Sequence, residues 1–165
     1  MTAAMPLIIG DDVFVSACYG AGAVLARVTA SGAEKVWAND ESMSCHYATC
    51  VRNGDFLYGV HGRTDPGLGP GASLRCVEWA TGKVRWSKDG FGAATMILAG
   101  DRLLILTERG ELIRAQATPS GFKAEARAQV LSNQVRAHAA LAEGRYYARS
   151  KDTLVCLDLR KPGKN

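Results

Sequence analysis

The stretch Cys76-Val77-Glu78-Trp79-Ala80-Thr81-Gly82-Lys83-Val84-Arg85-Trp86 decides how the whole chain is read. It joins two short apolar runs through Thr81-Gly82, a hairpin turn whose glycine accepts a positive φ. The spacing recurs. Cys76 stands six residues before Gly82, Ala26 six before Gly32 in Ser31-Gly32, and Ala115 six before Gly121 in Ser120-Gly121. Cys156 opens a fourth copy, in which Pro162 takes the glycine's place and Gly163 follows one residue later. Self-similarity at a period of ~20–50 residues marks stacked or circular arrays.

Upstream of each turn lies a further pair of runs. Asp12-Val13-Phe14-Val15, Asp55-Phe56-Leu57-Tyr58, Asp101-Arg102-Leu103-Leu104 and Gly144-Arg145-Tyr146-Tyr147 each follow a turn. Anchored at Asp12, Asp55, Asp101 and Arg145, they are spaced 43, 46 and 44 residues apart. Second strands follow at Val24 to Val28, Leu74 to Val77, Leu112 to Ala115 and Leu154 to Leu157. Third runs follow at Glu34 to Trp37, Lys83 to Trp86 and Phe122 to Val130. Innermost runs are expected at Pro6 to Ile9, Cys45 to Val51, Ala93 to Leu98 and Ala137 to Ala142. No helical periodicity interrupts them, so a parallel α/β fold, which needs crossover helices, is excluded.

Four short strands per period is the arithmetic of a propeller blade. The expected fold is therefore all-β: a partial β-propeller of about four blades of four-stranded antiparallel sheets, the last lacking its outer strand. The blade units span residues 5–38, 44–88, 92–130 and 135–159, with fifteen strands in all. The chain's 18 glycines fall where the turns must lie.

The repeat around Gly82 resembles the tryptophan-docking repeat of the pyrroloquinoline-quinone-like, or quinoprotein, β-propellers. There a small residue, an acid two residues on, a Thr-Gly turn and a Trp four after the Gly recur blade by blade. Here Cys76 stands for the usual Ala and Glu78 for the usual Asp. Ala26, Ser31, Gly32 and Trp37 match in the first copy, although Val28 replaces the acid and one extra residue precedes the Trp. The third copy keeps Ala115, Ser120 and Gly121 without a Trp, and the fourth keeps Cys156 and Asp158. Trp37, Trp86, Gly32, Gly82 and Gly121 are thus the expected docking residues. An indole on an outer strand would fill the wedge between blades and reach a backbone carbonyl of its neighbour.

The resemblance implies two kinds of protein. Some members are dehydrogenases that oxidise alcohols or sugars with pyrroloquinoline quinone and calcium, using adjacent cysteines, a Glu/Asn-held metal and a catalytic Asp. Others are cofactor-free scaffolds, such as the lipoprotein of the outer-membrane protein assembly machine. This sequence has no Cys-Cys pair and no Asp in a matching catalytic motif. The expected function is a non-enzymatic scaffold or binding propeller with no cofactor and no catalytic residues; a fragment of a quinoprotein dehydrogenase is the alternative. A periplasmic or extracellular location follows from the resemblance, although Met1 to Gly10 makes a poor secretory signal. On the residues alone, either the protein is cytoplasmic or its start lies upstream.

Composition narrows partners further. The 165 residues carry 20 Lys and Arg against 16 Asp and Glu, a dispersed +4 that does not suggest nucleic acid. The longest uncharged stretch, Val13 to Ala26, is interrupted by Ser16, Gly20 and Gly22 and is too short to span a membrane. Five cysteines at irregular spacing argue against a disulfide framework. Cys18, Cys45, Cys50, Cys76 and Cys156 are expected as buried, reduced small hydrophobes. Cys45 and Cys50, five apart on a strand, would face opposite ways.

Two sets of candidate site residues emerge. His46 in Cys45-His46-Tyr47, with Arg136 and His138 in Arg136-Ala137-His138, leads into innermost strands and reads either as a channel mouth or as ordinary rim. His61, Arg63 and Asp65 begin the longest loop, Gly62 to Gly71, which reads either as a recognition loop or as a solvated insertion. The missing outer strand leaves an open arc. The expected arc is completed by N-terminal blades of a seven- or eight-bladed ring, or by dimerisation.

Overall fold

The computed structural model of the chain describes residues 3–63, 71–132 and 134–160. Fifteen strands form four antiparallel meanders in chain order, with no helix among the described residues. The first sheet runs β1 (Leu7–Ile9), β2 (Asp12–Ala17), β3 (Gly22–Thr29), β4 (Gly32–Asn39). The second runs β5 (Val51–Asn53), β6 (Phe56–His61), β7 (Ser73–Glu78), β8 (Val84–Lys88). The third runs β9 (Ala94–Ala99), β10 (Arg102–Thr107), β11 (Glu111–Gln116), β12 (Ala124–Gln129). The fourth has three strands, β13 (Ala140–Ala142), β14 (Arg145–Arg149) and β15 (Leu154–Asp158). This is the 4, 4, 4, 3 pattern of a partial β-propeller.

The Thr-Gly turn shows how the local sequence makes a hairpin. Gly82, at φ +73°, donates its N–H to Glu78 O at 2.9 Å, and Glu78 N–H donates to Lys83 O at 2.8 Å. The Thr81 hydroxyl donates to the Glu78 carboxylate at 2.7 Å and its oxygen accepts the Lys83 N–H at 3.2 Å. The acid of the repeat thus fastens the turn that follows it.

The core is divided among the spaces between sheets. Phe14, Leu25 and Trp37 of the first sheet meet Leu57 and Val77 of the second. Tyr58, Leu74 and Cys76 of the second meet Leu103, Ile105 and Ile113 of the third, and Leu104, Leu106 and Leu112 of the third meet Tyr146 and Ala148 of the fourth. A middle sheet is covered on both faces, so β10 is buried at five consecutive positions, Leu103 to Thr107, instead of alternating. The end sheets are covered on one face. Among the described residues, every exposed large apolar side chain belongs to the first or last unit: Met5, Ile8, Ile9, Tyr19, Val28, Val36, Tyr147, Leu154 and Leu159.

Some expectations need correction. The four anchor turns are in register as Asp11, Asp55, Asp101 and Gly144, whose carbonyls accept from Val28, Trp79, Ala117 and Leu159; the first copy is therefore in phase one residue earlier than its Asp12 anchor, and the last one earlier than Arg145. Residues 45–50 are not a strand: β5 begins at Val51. Ser42, Met43, Ser44 and Cys45 are buried in succession, a pattern no half-covered strand can supply. Long-range hydrogen bonds hold this crossover irregular. The Ser16 hydroxyl donates to Met43 O at 2.8 Å and accepts Cys45 N–H at 2.9 Å, and the Ser42 hydroxyl donates to Gly82 O. The bend turns Cys45 and Cys50 toward each other, with their sulfurs 3.2 Å apart, where a strand would have separated them. Cys156 lies exposed on β15, because no fourth strand or further sheet among the described residues covers that face.

Candidate functional site

The turns after β2, β6 and β10 and the crossovers into β5 and β13 bring their polar side chains to one rim. The Tyr19 hydroxyl and His46 Nε2 share a hydrogen bond at 2.9 Å, with the rings edge to face at 5.4 Å between centroids. His46 packs against Tyr47 at 5.8 Å, and Arg63 lies over the Tyr19 ring at 4.7 Å. Arg136 reaches across from the third crossover, 5.9 Å from the Tyr47 ring, and pairs with Glu108 through Nε at 2.8 Å and Nη2 at 2.7 Å. Four units thus contribute to one chain of aromatic and charged contacts.

The polar groups of the rim are paired with one another. The Tyr47 phenol is pushed up to about 12, first by burial and then by the Glu108 charge, with Arg136 pulling the other way. It stays protonated at neutral pH. The Glu108 carboxylate is occupied by a guanidinium, and the His46 imidazole by a phenol. Rings and guanidinium faces therefore present themselves in fixed positions.

His46 and Arg136 are brought together through Tyr47. His138 is exposed, and among the described residues no hydrogen bond or ring contact reaches it. His61 ends β6 below the rim, its Nδ1 accepting the Ser44 N–H at 3.0 Å. Burial, and then the Arg75 charge, lower its pKa to about 4, so it is neutral with its proton on Nε2. Arg63 lies over the Tyr19 ring and also lines, together with His61, Ser73, Arg75 and Asp89, a cavity of about 440 Å³. Asp65 lies outside the described residues. Among those described, no group of three His, Cys, Asp or Glu side chains is placed to hold a metal ion.

Tyr19, Tyr47 and Glu108 were not foreseen from sequence as members of this rim. The clue was positional: Tyr19, Arg63 and Glu108 each follow the second strand of their sheet by one or two residues, so the repeat makes their turns equivalent. Tyr19 holds φ +64°, unusual for a non-glycine, and this sets its ring toward His46.

The docking residues lie away from the rim. Trp37, 8% exposed, donates its indole N–H to Trp79 O at 2.7 Å in the next sheet. Trp86 donates to Thr118 O at 2.9 Å in the sheet after. Gly32, Gly82 and Gly121 all hold positive φ in the third turns of their sheets. Gly82 sits directly against the Trp37 ring.

No family model matches the chain, and no curated protein matches it in sequence. Its similarities are to solved structures. BamB from Moraxella catarrhalis aligns over 93% of this chain and 43% of its own, with a TM-score of 0.66 and 15% identity. The computationally designed Ika4 protein aligns over 94% of this chain and 89% of its own, at TM-score 0.62 and 10% identity. A europium-containing methanol dehydrogenase aligns over 71% of this chain and 23% of its own, at TM-score 0.52 and 11% identity. The chain thus spans less than half the length of the BamB chain. At these identities the likeness is one of fold, and the fold is that of a β-propeller.

Proposed function

We propose that the chain is a non-enzymatic β-propeller scaffold or binding module of the pyrroloquinoline-quinone-like repeat family, working within a larger closed assembly. The observation that carries this is the confinement of exposed large apolar side chains to the first and last units. The alternation that turns Leu7, Phe14, Leu25 and Trp37 toward the second sheet turns Ile8, Val13, Val15, Val24, Val28 and Val36 the other way. That is the surface of a blade awaiting a neighbour. N-terminal blades of a larger ring or a second copy would cover it, and the fixed aromatic and guanidinium rim would then serve as the recognition face. A periplasmic or extracellular setting belongs to the same proposal, on resemblance.

The alternative is a piece of a quinoprotein dehydrogenase, favoured by the fold likeness to the methanol dehydrogenase. Adding pyrroloquinoline quinone and calcium to the purified chain and following dye-linked oxidation of alcohols and sugars separates the two. No turnover is expected; turnover overturns the scaffold reading. The mass in solution tests closure: a species larger than one chain is expected, and a clean soluble monomer would sink it.

A further inference from the structure

Trp37 and Trp86 occupy one structural place. Each stands on the outermost strand of its sheet, opposite the last residue before a shift in strand register, Trp37 opposite Leu25 and Trp86 opposite Cys76. The third sheet carries the same shift, between Arg114 and Ala115, and the residue opposite Arg114 is Ala126. Counting from the turn agrees: Trp37 is five residues after Gly32 and Ala126 five after Gly121. In the third groove, then, a methyl stands where the first two grooves have an indole.

The apolar lining of the groove and a counterpart of the first groove's acceptor carbonyl are present there. Between the third and fourth sheets lies a cavity of about 460 Å³, with Leu104, Leu112, Ala126, Leu141 and Leu159 as its apolar walls. That is within the ~300–1,000 Å³ range of small-molecule sites. Leu104 and Leu112 are 6% and 8% exposed, whereas Ala126 and Leu159 are open to solvent, so the cavity has a dry floor and an open mouth. Leu159 has the place of Trp79, since the N–H groups of Trp79 and Leu159 donate to the equivalent carbonyls of Asp55 and Gly144. The carbonyl that receives the Trp37 indole therefore has its counterpart at Leu159.

Charge around the groove is balanced. Arg102 pairs with Asp101 at 2.6 Å and Glu125 at 2.8 Å, Arg114 with Glu125 at 3.1 Å, and Arg127 with Glu111 at 3.0 Å. The three arginines are thus each paired with a carboxylate beside the groove, and a guanidinium plane is a good partner for a ring face. The protein already makes that contact elsewhere, with Arg52 lying 4.6 Å over the Trp79 ring.

We propose that the groove between the third and fourth sheets is a binding site for a small, neutral, planar heteroaromatic carrying one N–H donor: an indole. The occupant is read from the molecule itself, whose two sibling grooves are each filled by an indole donating to the next sheet. The ring lies on Leu104 and Leu112, and its N–H points to the Leu159 carbonyl.

The test titrates free indole into the protein by calorimetry and by amide chemical shifts. Saturable one-to-one binding is expected, with shifts at Ala126, Gly144 and Leu159. 1-Methylindole, which lacks the donor, binds about tenfold more weakly. Ala126→Trp fills the groove from within; it abolishes indole binding and raises Tm by a few degrees. Ala126→Leu narrows the groove without supplying an indole; it weakens indole binding as well and guards against misfolding of the larger variant. Absence of binding by the wild type, or binding undiminished in both variants, overturns the proposal. Binding of a tryptophan-bearing peptide without binding of free indole overturns the small-molecule assignment.

Discussion

His61 closes β6 with its imidazole partly buried and its Nδ1 committed to the Ser44 N–H. Its pKa lies near 4 in the fold against an ordinary 6.5, chiefly through burial. The unfolded chain therefore takes up a proton between those values that the folded chain refuses, so stability falls as pH drops from about 6.5 toward 4 and is unaffected above that window. Protonation would also place a donor on Nδ1 facing the Ser44 donor. Urea midpoints across this window should decline by the equivalent of about 1–2 kcal/mol, reduced from the full linkage because the ring retains solvent contact. His61→Asn, whose amide oxygen can accept from Ser44, should remove that decline. An acid dependence unchanged in the variant would rule out His61 as its source.

The joint between sheets is made by one strand and one turn. Trp37 on β4 is pinned by its hydrogen bond to Trp79 O, and a Cβ on Gly82 would come within 2.9 Å of the ring's Cδ2 and Cε3 at a φ of +73°. Gly82→Ala is expected to cost about 2–3 kcal/mol, from both the ring and the backbone. Gly121→Ala, with nothing within 4 Å of the new methyl, carries only the backbone penalty of about 1 kcal/mol. Trp37→Ala should cost about 3–5 kcal/mol and Trp37→Phe about 1–2, since Phe keeps much of the packing and strands the carbonyl. Equal losses in the two glycine variants by chemical denaturation would remove Gly82 from the joint. These elements were legible in the sequence because the Ser/Thr-Gly turns repeat and the apolar runs lie between them. The crossover of residues 40–50 was not, because its shape is set by Ser16 and Gly82, 27 and 40 residues away in sequence. Nor was the rim: His46 and Arg136 could be named from their place before innermost strands, but their link through Tyr47 depends on packing between sheets. Spacing from the turn left two positions open in the third sheet, Ala126 by the five residues from Gly32 to Trp37 and Glu125 by the four from Gly82 to Trp86, and the register shift decides for Ala126.

At the scale of the whole molecule, the arc has unlike ends. The open face of the first sheet is rich in valine, with Val28 and Val36 exposed, while the last sheet presents Tyr147 and Leu154 among arginines. Association through the valine face should be broken by the double variant Val28→Glu, Val36→Glu. Its mass by light scattering should fall to that of one chain while its β-sheet circular dichroism is kept. An unchanged mass would assign the contact to the other end.

The direction of the indole contacts also bears on how such a chain lengthens. The first two units each carry a plug on the outermost strand, the second and third each carry a socket, and each plug enters the socket of the unit that follows. A unit copied whole arrives with both halves of the joint already matched to its siblings. Growth by duplication then needs no new interface, and each added copy is free to lose its plug and keep its socket. The third unit, with Ala126 in the plug's place, shows how a structural joint can become vacant without disturbing the joints on which the rest of the arc depends.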